Sequence, residues 1–187
     1  MHENPLLQII KGCRQGESAS EKALFRLFAP KVLAIARRYA TDEPQALDFL
    51  QEVFVLLFNK IKLFDPEKGA FEGWLYRLSV NTILQIMRKH RRQEPWVELP
   101  SELPETEIED TELEMLQQEQ LTQAIRQLPE GYRQVLNLFV FENWSHREIA
   151  AALHIAESAS RSQLSRAKQL LQQQLQQILR QYEQGLV

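Results

Sequence analysis

The spacing of apolar residues constrains the fold of this chain more than any other feature. Between residues 43 and 61 apolar side chains recur at intervals of three and four, which places them on one face of a helix: Leu47, Leu50, Phe54, Leu57 and Ile61. Residues 21–39 repeat the pattern, with an apolar face made of Leu24, Leu27, Phe28, Val32, Ile35 and Ala36. A half-buried strand would alternate every second residue, and the sequence has no convincing alternation of that kind and no Asn-Gly or Asp-Gly hairpin signal. The sequence therefore predicts an all-α protein.

Prolines and a turn signal mark where the predicted helices begin, end or bend. Pro5 suits the first turn of a short leading helix, and Pro30 is expected to kink or divide a longer one. The run Asp65–Gly69 predicts a turn, and Pro129 ends a helix. The helices predicted in this way cover residues 5–14, 21–39, 43–61, about 71–92, 113–128 and 132–139.

Charge is unevenly distributed along the chain, although the net charge is only −3. Residues 1–92 contain 15 Lys and Arg against 10 Asp and Glu, and residues 126–187 contain 7 against 5. Residues 93–125 contain 10 acids, no Lys or Arg, and three prolines. Such a run is typical of a solvated segment, so we predict two helical domains, residues 1–92 and 113–187, joined by an acidic linker, residues 93–112. The acidic total therefore does not exclude a nucleic-acid-binding protein.

The second domain has the pattern of a helix-turn-helix. Ser145 can cap a short helix that ends by Leu153, and Glu148, three residues after Ser145, completes a capping box. A longer helix is expected to begin near residue 157 or 158 and to run to about Tyr182. Two helices joined by a connection this short are typical of DNA-binding proteins.

The longer helix carries two stripes of different character. One stripe is expected to face the core and consists of Ser160, Leu164, Ala167 and Leu171. The other is polar and is expected to face a DNA major groove, with Ser158, Arg161, Ser162 and Ser165. Arg161 suits a bidentate contact with guanine, and the side chains suited to phosphates are Arg147, Arg166 and Lys168. The alternative is an ordinary amphipathic helix whose polar face is solvated.

The helix predicted over residues 71–92 combines aromatic residues with a basic end. Rings can stack on unpaired bases while cations follow the phosphates, so this combination suits single-stranded DNA. The residues concerned are Phe71, Trp74, Tyr76, Arg77, Asn81, Arg88, Lys89, His90, Arg91 and Arg92. A purely structural role stays open, because an apolar face is shared by Phe71, Trp74, Leu75 and Leu78.

Several classes of function find no support in the sequence. Six glycines form no phosphate-binding loop, and four scattered histidines show no metal-ligand spacing. The only cysteine, Cys13, excludes an internal disulfide and is interpreted as a partly buried small apolar residue. The longest apolar run, Val53–Phe58, is too short to span a bilayer, and the N-terminus lacks a secretory signal. We expect no cofactor, metal site, small-molecule substrate or membrane insertion.

Two blocks of sequence, in this order, resemble regions 2 and 4 of the extracytoplasmic-function (ECF) sigma factors. The first block comprises Asp48–Ile61, Phe64–Phe71, Trp74–Leu78, Asn81 and Arg88–Arg92. The second block comprises Leu128–Leu136, Trp144–Leu153 and Ser162–Lys168. The resemblance covers nearly the whole chain. It implies a cytoplasmic promoter-specificity subunit that binds core RNA polymerase, recognises −10 and −35 promoter elements and promotes DNA melting, without catalytic activity of its own.

The resemblance also implies a role for individual residues. Contacts with polymerase are expected from Asp48, Gln51, Glu52 and Asn59. Contacts with the melted −10 strand are expected from Asp65, Lys68, Trp74, Arg77, Asn81, Arg88 and Arg91. Contacts with the −35 duplex are expected from Arg147, Ser158, Arg161, Ser162, Ser165, Arg166 and Lys168. The expected partners are core RNA polymerase, promoter DNA and an anti-sigma factor.

One departure from the family pattern bears on the fold, and two other functions stay open. His154 stands where the family commonly has Gly in the turn before the recognition helix, so His154 must accept that backbone geometry or shift it. Without the resemblance, the chain could be a stand-alone helix-turn-helix repressor or activator whose first domain dimerises or binds a ligand. It could also be a helical adaptor that binds only proteins.

Overall fold

The computed structural model describes residues 4–91 and 118–183, and every regular element within these two ranges is helical. The all-α prediction is thereby confirmed. The chain divides into two compact units, residues 1–94 and 95–187. The predicted linker, residues 93–112, lies outside the described residues.

The described part of the first unit is built from four α-helices. They are α1 (Pro5–Arg14), α2 (Ser18–Tyr39), α3 (Glu43–Lys60) and α4 (Phe71–Arg91). Two short 3₁₀ helices, Ile61–Leu63 and Pro66–Lys68, connect α3 to α4. Helix α2 packs against the other three, and α3 also packs against α4. The core between them is formed by apolar residues that include Leu24, Val32, Val53, Leu57 and Ile83.

Local signals explain where these helices begin and how closely they approach. The Asn4 side chain accepts a hydrogen bond from the Leu6 N–H (3.0 Å) at the start of α1. The Asp42 side chain accepts one from the Gln45 N–H (2.8 Å) at the start of α3. At Gly12, an added Cβ would collide with the Ser20 hydroxyl, so the lack of a side chain allows α1 to pack closely on α2.

Helix α2 continues through Pro30, which lies on an exposed face, so of the kink or division predicted for this proline the division is wrong. There water can satisfy the carbonyl group that loses its backbone donor. Leu27 and Leu47, predicted on apolar faces, are 52% and 49% exposed. The buried face of α3 is centred on Ala46, Val53 and Leu57 instead, which leaves Leu47 near the edge of that face.

The described part of the second unit also contains four helices. They are α5 (Gln118–Gln127), α6 (Glu130–Val140), α7 (His146–Leu153) and α8 (Glu157–Glu183). Helix α8 packs against α5, α6 and α7. The predicted end of a helix before Pro129 is confirmed, and residues 113–117 of that predicted helix lie outside the described residues.

The predicted helix-turn-helix is formed by α7, a short turn and α8. The Ser145 N–H donates to the Glu148 carboxylate (2.8 Å) and the Glu148 N–H donates to the Ser145 hydroxyl (3.3 Å), which confirms the capping box. His154 adopts the left-handed conformation (φ 54°, ψ 47°), and its N–H bonds to the Ala150 carbonyl. His154 therefore accepts the backbone geometry that the turn requires.

Candidate polymerase and nucleic-acid interfaces

One exposed face of α3 carries the residues predicted to contact polymerase. Asp48, Gln51, Glu52 and Asn59 are all exposed, and at 100° per residue they fall within an arc of about 100°. Within the described part of the chain, none of their side chains makes a hydrogen bond or an ion pair. Val55 lies in the same arc and is 52% exposed. The face therefore combines two free carboxylates and two amides with an apolar side chain, and its negative charge complements a basic protein surface.

The predicted −10 loop is closed by contacts of its first residue, Asp65. The Asp65 carboxylate accepts a hydrogen bond from the Glu67 N–H (3.0 Å) and pairs with the ammonium group of Lys68 (3.4 Å). Gly69 has φ 140°, a backbone conformation that glycine adopts without the steric cost that a Cβ would bring. Residues 66–70 are exposed. The loop thus presents backbone and polar groups on a short, capped turn.

Trp74 combines a structural contact with partial exposure. Its ring lies 5.6 Å from that of Phe64 and 5.7 Å from that of Phe71, and both phenylalanines are buried. Trp74 itself is half-buried. Part of the indole therefore belongs to the core, and the remaining surface is open to an unpaired base.

Helix α4 places the other predicted −10 residues on the same side as Trp74. Arg77 and Asn81 are exposed, and Arg88 is half-buried and donates its Nε–H to the Leu84 carbonyl (3.2 Å). Successive positions 74, 77, 81 and 88 fall within about 60° of arc on a helix. Arg91 belongs to α4, but its side chain lies outside the described residues. The structure thus brings four of these residues into one stripe that follows the capped loop.

The two stripes predicted on α8 are separated as expected. Ser160, Leu164 and Ala167 are buried, and Leu171 is half-buried. The polar stripe is exposed throughout and consists of Ser158, Arg161, Ser162 and Ser165. Of the predicted phosphate contacts, Arg147 and Lys168 are exposed and Arg166 is half-buried.

Two members of the polar stripe have partners of their own. The Arg161 guanidinium pairs with the Glu157 carboxylate one turn earlier (2.7 Å), and both side chains are about half exposed. The Ser162 hydroxyl donates to the Ala159 carbonyl (3.0 Å). Arg161 must release Glu157 before it can reach a base, and an exposed pair of this kind is worth at most about 1 kcal/mol.

Two contacts next to these surfaces were not foreseen from the sequence. The His146 Nδ1 lies 2.9 Å from the hydroxyl of Ser160, which is fully buried, and the His146 ring stacks on Phe139 at 4.8 Å. In the first unit, Arg14 of α1 donates its Nε–H to the Ile61 carbonyl (3.4 Å) and a second N–H to the Phe64 carbonyl. The contacting residues are 14, 47 and 50 positions apart in the sequence, so no local sequence pattern could have predicted these contacts.

The described residues offer few groups for other chemistry. Among residues 4–91 and 118–183, no group of three or more His, Cys, Asp or Glu could hold a metal ion. Burial, with a smaller contribution from Glu21, raises the pKa of Cys13 from 9.0 to about 11, so the thiol stays protonated at neutral pH. In the same ranges no helix is long and apolar enough to cross a membrane.

Two family models match successive parts of the chain. Residues 24–93 match the family model for sigma-70 region 2, and residues 118–171 match that for sigma-70 region 4. The RNA polymerase sigma-H factor of Pseudomonas aeruginosa is 29% identical over 92% of this chain and 95% of its own length. The ECF RNA polymerase sigma factor RpoE of Cereibacter sphaeroides is 28% identical over 91% of this chain and 93% of its own length.

A solved structure is also similar. It is the sigma factor RpoE of Bartonella quintana in complex with the anti-sigma factor NepR, with 21% identity and a TM-score of 0.49 over 83% of this chain and 96% of that chain. The two sigma-70 regions match in chain order, and the curated relatives align over more than nine-tenths of both sequences. The chain therefore belongs to the ECF sigma factors, a family that acts in transcription initiation by RNA polymerase.

Proposed function

We propose that this chain binds core RNA polymerase through the exposed face of α3, reads the −10 element with the loop Asp65–Gly69 and α4, and reads the −35 element with α8. The observation that carries the proposal is that four residues of each predicted contact set share one face of a single helix. The four α3 residues share one arc, four −10 residues share one side of α4, and four residues share the polar stripe of α8. A protein that bound only other proteins would not need two such nucleic-acid surfaces.

Each surface suits a different form of DNA. The half-buried Trp74 and the exposed Arg77 and Asn81 suit an unpaired strand, because a ring can stack on a base while a cation meets the phosphate. The polar stripe of α8 follows a short capped helix and a tight turn, the arrangement that places a recognition helix in the major groove. Holding an unpaired strand on α4 favours the melted promoter, so the same surface contributes to DNA melting.

A selection experiment tests the whole proposal. Full-length protein and core RNA polymerase from the host bacterium are incubated with a promoter library randomised separately at the −10 and −35 positions, and the transcribed templates are sequenced. We expect enrichment at both positions. Transcription that needs neither element, or failure to bind core polymerase, would contradict the proposal.

Substitutions assign the DNA surfaces. Arg161→Ala should relax the −35 preference by about 1–3 kcal/mol at one base pair. Arg180→Ala is the matched control, because Arg180 is exposed on the same helix and lies about 28 Å further along it. An equal effect of both substitutions would show that the stripe does not read bases.

The α3 face is tested by charge reversal. Glu52→Arg should weaken binding to core polymerase, whereas Glu72→Arg makes the same change at an acid on α4 whose pair with Lys31 is largely exposed. A stand-alone repressor or activator would bind duplex DNA without polymerase and would be indifferent to Glu52→Arg. A protein-only adaptor would be indifferent to Arg161→Ala.

Two further expectations belong to the proposed function. We propose that the protein acts in the cytoplasm, where the polymerase and the promoter DNA are. We also propose an anti-sigma factor as a partner, supported by the large apolar residues of the first unit that are exposed, which are Leu7, Phe25, Leu27, Leu47, Val55 and Leu63. Since Val55 lies within the α3 face, such a partner should compete with core polymerase. Co-purification of a ternary complex, in which the chain binds the anti-sigma factor and core polymerase at the same time, would contradict this.

A further inference from the structure

Arg14 links the first helix of the chain to the segment that precedes the −10 loop. It lies in the last turn of α1, and its half-buried side chain reaches the segment after α3. The Nε–H donates to the Ile61 carbonyl (3.4 Å), and one Nη2–H donates to the Phe64 carbonyl. These two carbonyls bracket the 3₁₀ helix Ile61–Leu63. One planar guanidinium therefore holds both ends of the connection out of α3.

The opposite side of Phe64 is fixed by rings. Phe64 is buried, and its ring lies 5.1 Å from that of Phe71 and 5.6 Å from that of Trp74. Its backbone is thus held by Arg14 while its side chain is held by the start of α4. Asp65, the first residue of the −10 loop, follows directly in the sequence. The position of Asp65 depends on how firmly the Phe64 peptide is held.

We propose that Arg14 is a positioning residue for −10 recognition, which acts by fixing the Phe64 peptide and hence the loop Asp65–Gly69. The inference rests on the proposed function, since it assumes that this loop reads a promoter base. A guanidinium is suited to the task because its N–H donors lie in one rigid plane on separate nitrogens and can meet two carbonyls at once. An ammonium group carries its three N–H donors on one nitrogen at the end of a flexible stem, so it cannot reproduce that planar pair of bonds.

The test uses the full-length protein, core polymerase and the same promoter library, randomised separately at the −10 and −35 positions. Arg14→Met keeps the aliphatic stem and removes both hydrogen bonds, and Arg14→Lys keeps the charge and loses the fork. For both variants we expect the −10 preference to fall by at least about tenfold, the loss that corresponds to one hydrogen bond to a charged group. The −35 preference in the same reaction should stay within about twofold of wild type. Lys11→Met is the matched control, because Lys11 is an exposed base on the same helix.

The possible outcomes are distinguishable. An unchanged −10 preference in both variants would overturn the inference. Loss of both the −10 and the −35 preference in Arg14→Lys would also overturn it, because that result would show that Arg14 supports the whole fold. If the wild-type protein selects neither element, the proposed function fails, and the Arg14 inference fails with it. If Arg14→Met does not fold, Arg14→Lys decides, with core affinity confirming that its α3 face is intact. Hydrogen exchange of residues 61–69 gives a direct readout, which should speed up in Arg14→Lys and remain unchanged in Lys11→Met.

Discussion

Replacing Arg133 with Met tests how the second unit holds the end of α5. Arg133 is 2% exposed, and its Nη1 group donates to the carbonyls of Arg126 (2.7 Å) and Leu128 (2.9 Å), where α5 ends. These carbonyls have no partner within the helix, so Arg133 supplies their hydrogen bonds from α6. Burial lowers the pKa of Arg133, which shows that its charge is held at a cost.

The magnitude follows from these terms. Each hydrogen bond to a charged group contributes about 1.5–3 kcal/mol to stability. Removing the buried charge also removes its desolvation cost, which offsets part of the loss of these hydrogen bonds. We therefore expect Arg133→Met to lower the free energy of unfolding of the second unit by about 2–4 kcal/mol, a large share of a typical domain's stability.

Hydrogen exchange read by mass spectrometry is the suitable assay, because it reports on the two units separately in the full-length protein. In Arg133→Met, protection should fall across residues 118–171 and stay unchanged across residues 24–89. Arg147→Met is the matched control, since Arg147 is an exposed base of the same unit. Equal protection in the two variants would refute the capping role of Arg133.

Three further predictions follow from single sites. Gly73 lies inside α4, and the space that a Cβ would occupy there is open, so Gly73→Ala should stabilise the first unit by up to about 1 kcal/mol in urea unfolding; destabilisation would show that the site needs glycine. Cys13, with its pKa raised from 9.0 to about 11, should react with iodoacetamide at pH 8 about a hundredfold more slowly than a free cysteine. The stabilisation due to its neutral thiol should be complete below pH 9 and lost as pH rises through 11; rapid labelling of the folded protein would contradict this. Ser160→Ala should cost about 1–3 kcal/mol in thermal unfolding, because it leaves the His146 Nδ1 without its buried partner; a neutral effect would mean that water replaces the hydroxyl.

The parts of the fold that were predictable are those set by neighbouring residues. The capping box of Ser145 and Glu148 requires only two residues three positions apart, and the structure contains it. The helical periods likewise predicted α3 and the buried stripe of α8. Periodicity identifies an apolar face but not its edges, so it places Leu27 and Leu47 on apolar faces although both side chains are half exposed. Their exposure depends on where the neighbouring helices lie.

The candidate surfaces were predictable to a different degree. Residue types and helical spacing were sufficient to group Arg77 with Asn81 and Ser158 with Arg161. The contacts that hold these surfaces in place were not predictable, because Arg14 meets Phe64 across 50 residues and His146 meets Ser160 across 14. Gln163 shows the same limit. It is 7% exposed and therefore belongs to the packed side of α8, whereas its polarity alone would have placed it on the DNA-facing side.

The pairing of Arg161 with Glu157 bears on how α8 would discriminate between DNA sequences. In the free protein the guanidinium is held by a carboxylate one turn away, in a half-exposed pair worth at most about 1 kcal/mol. A bidentate contact with guanine discriminates against the wrong base by about 1–3 kcal/mol, so exchanging Glu157 for guanine is favourable. At another base this exchange gains little free energy, so the Arg161 guanidinium remains paired with Glu157. The acid beside the reading residue therefore weakens binding to the right sequence by up to about 1 kcal/mol and leaves binding to a wrong sequence nearly unchanged, so the intramolecular pair lowers both the affinity and the discrimination of the −35 surface by at most that amount.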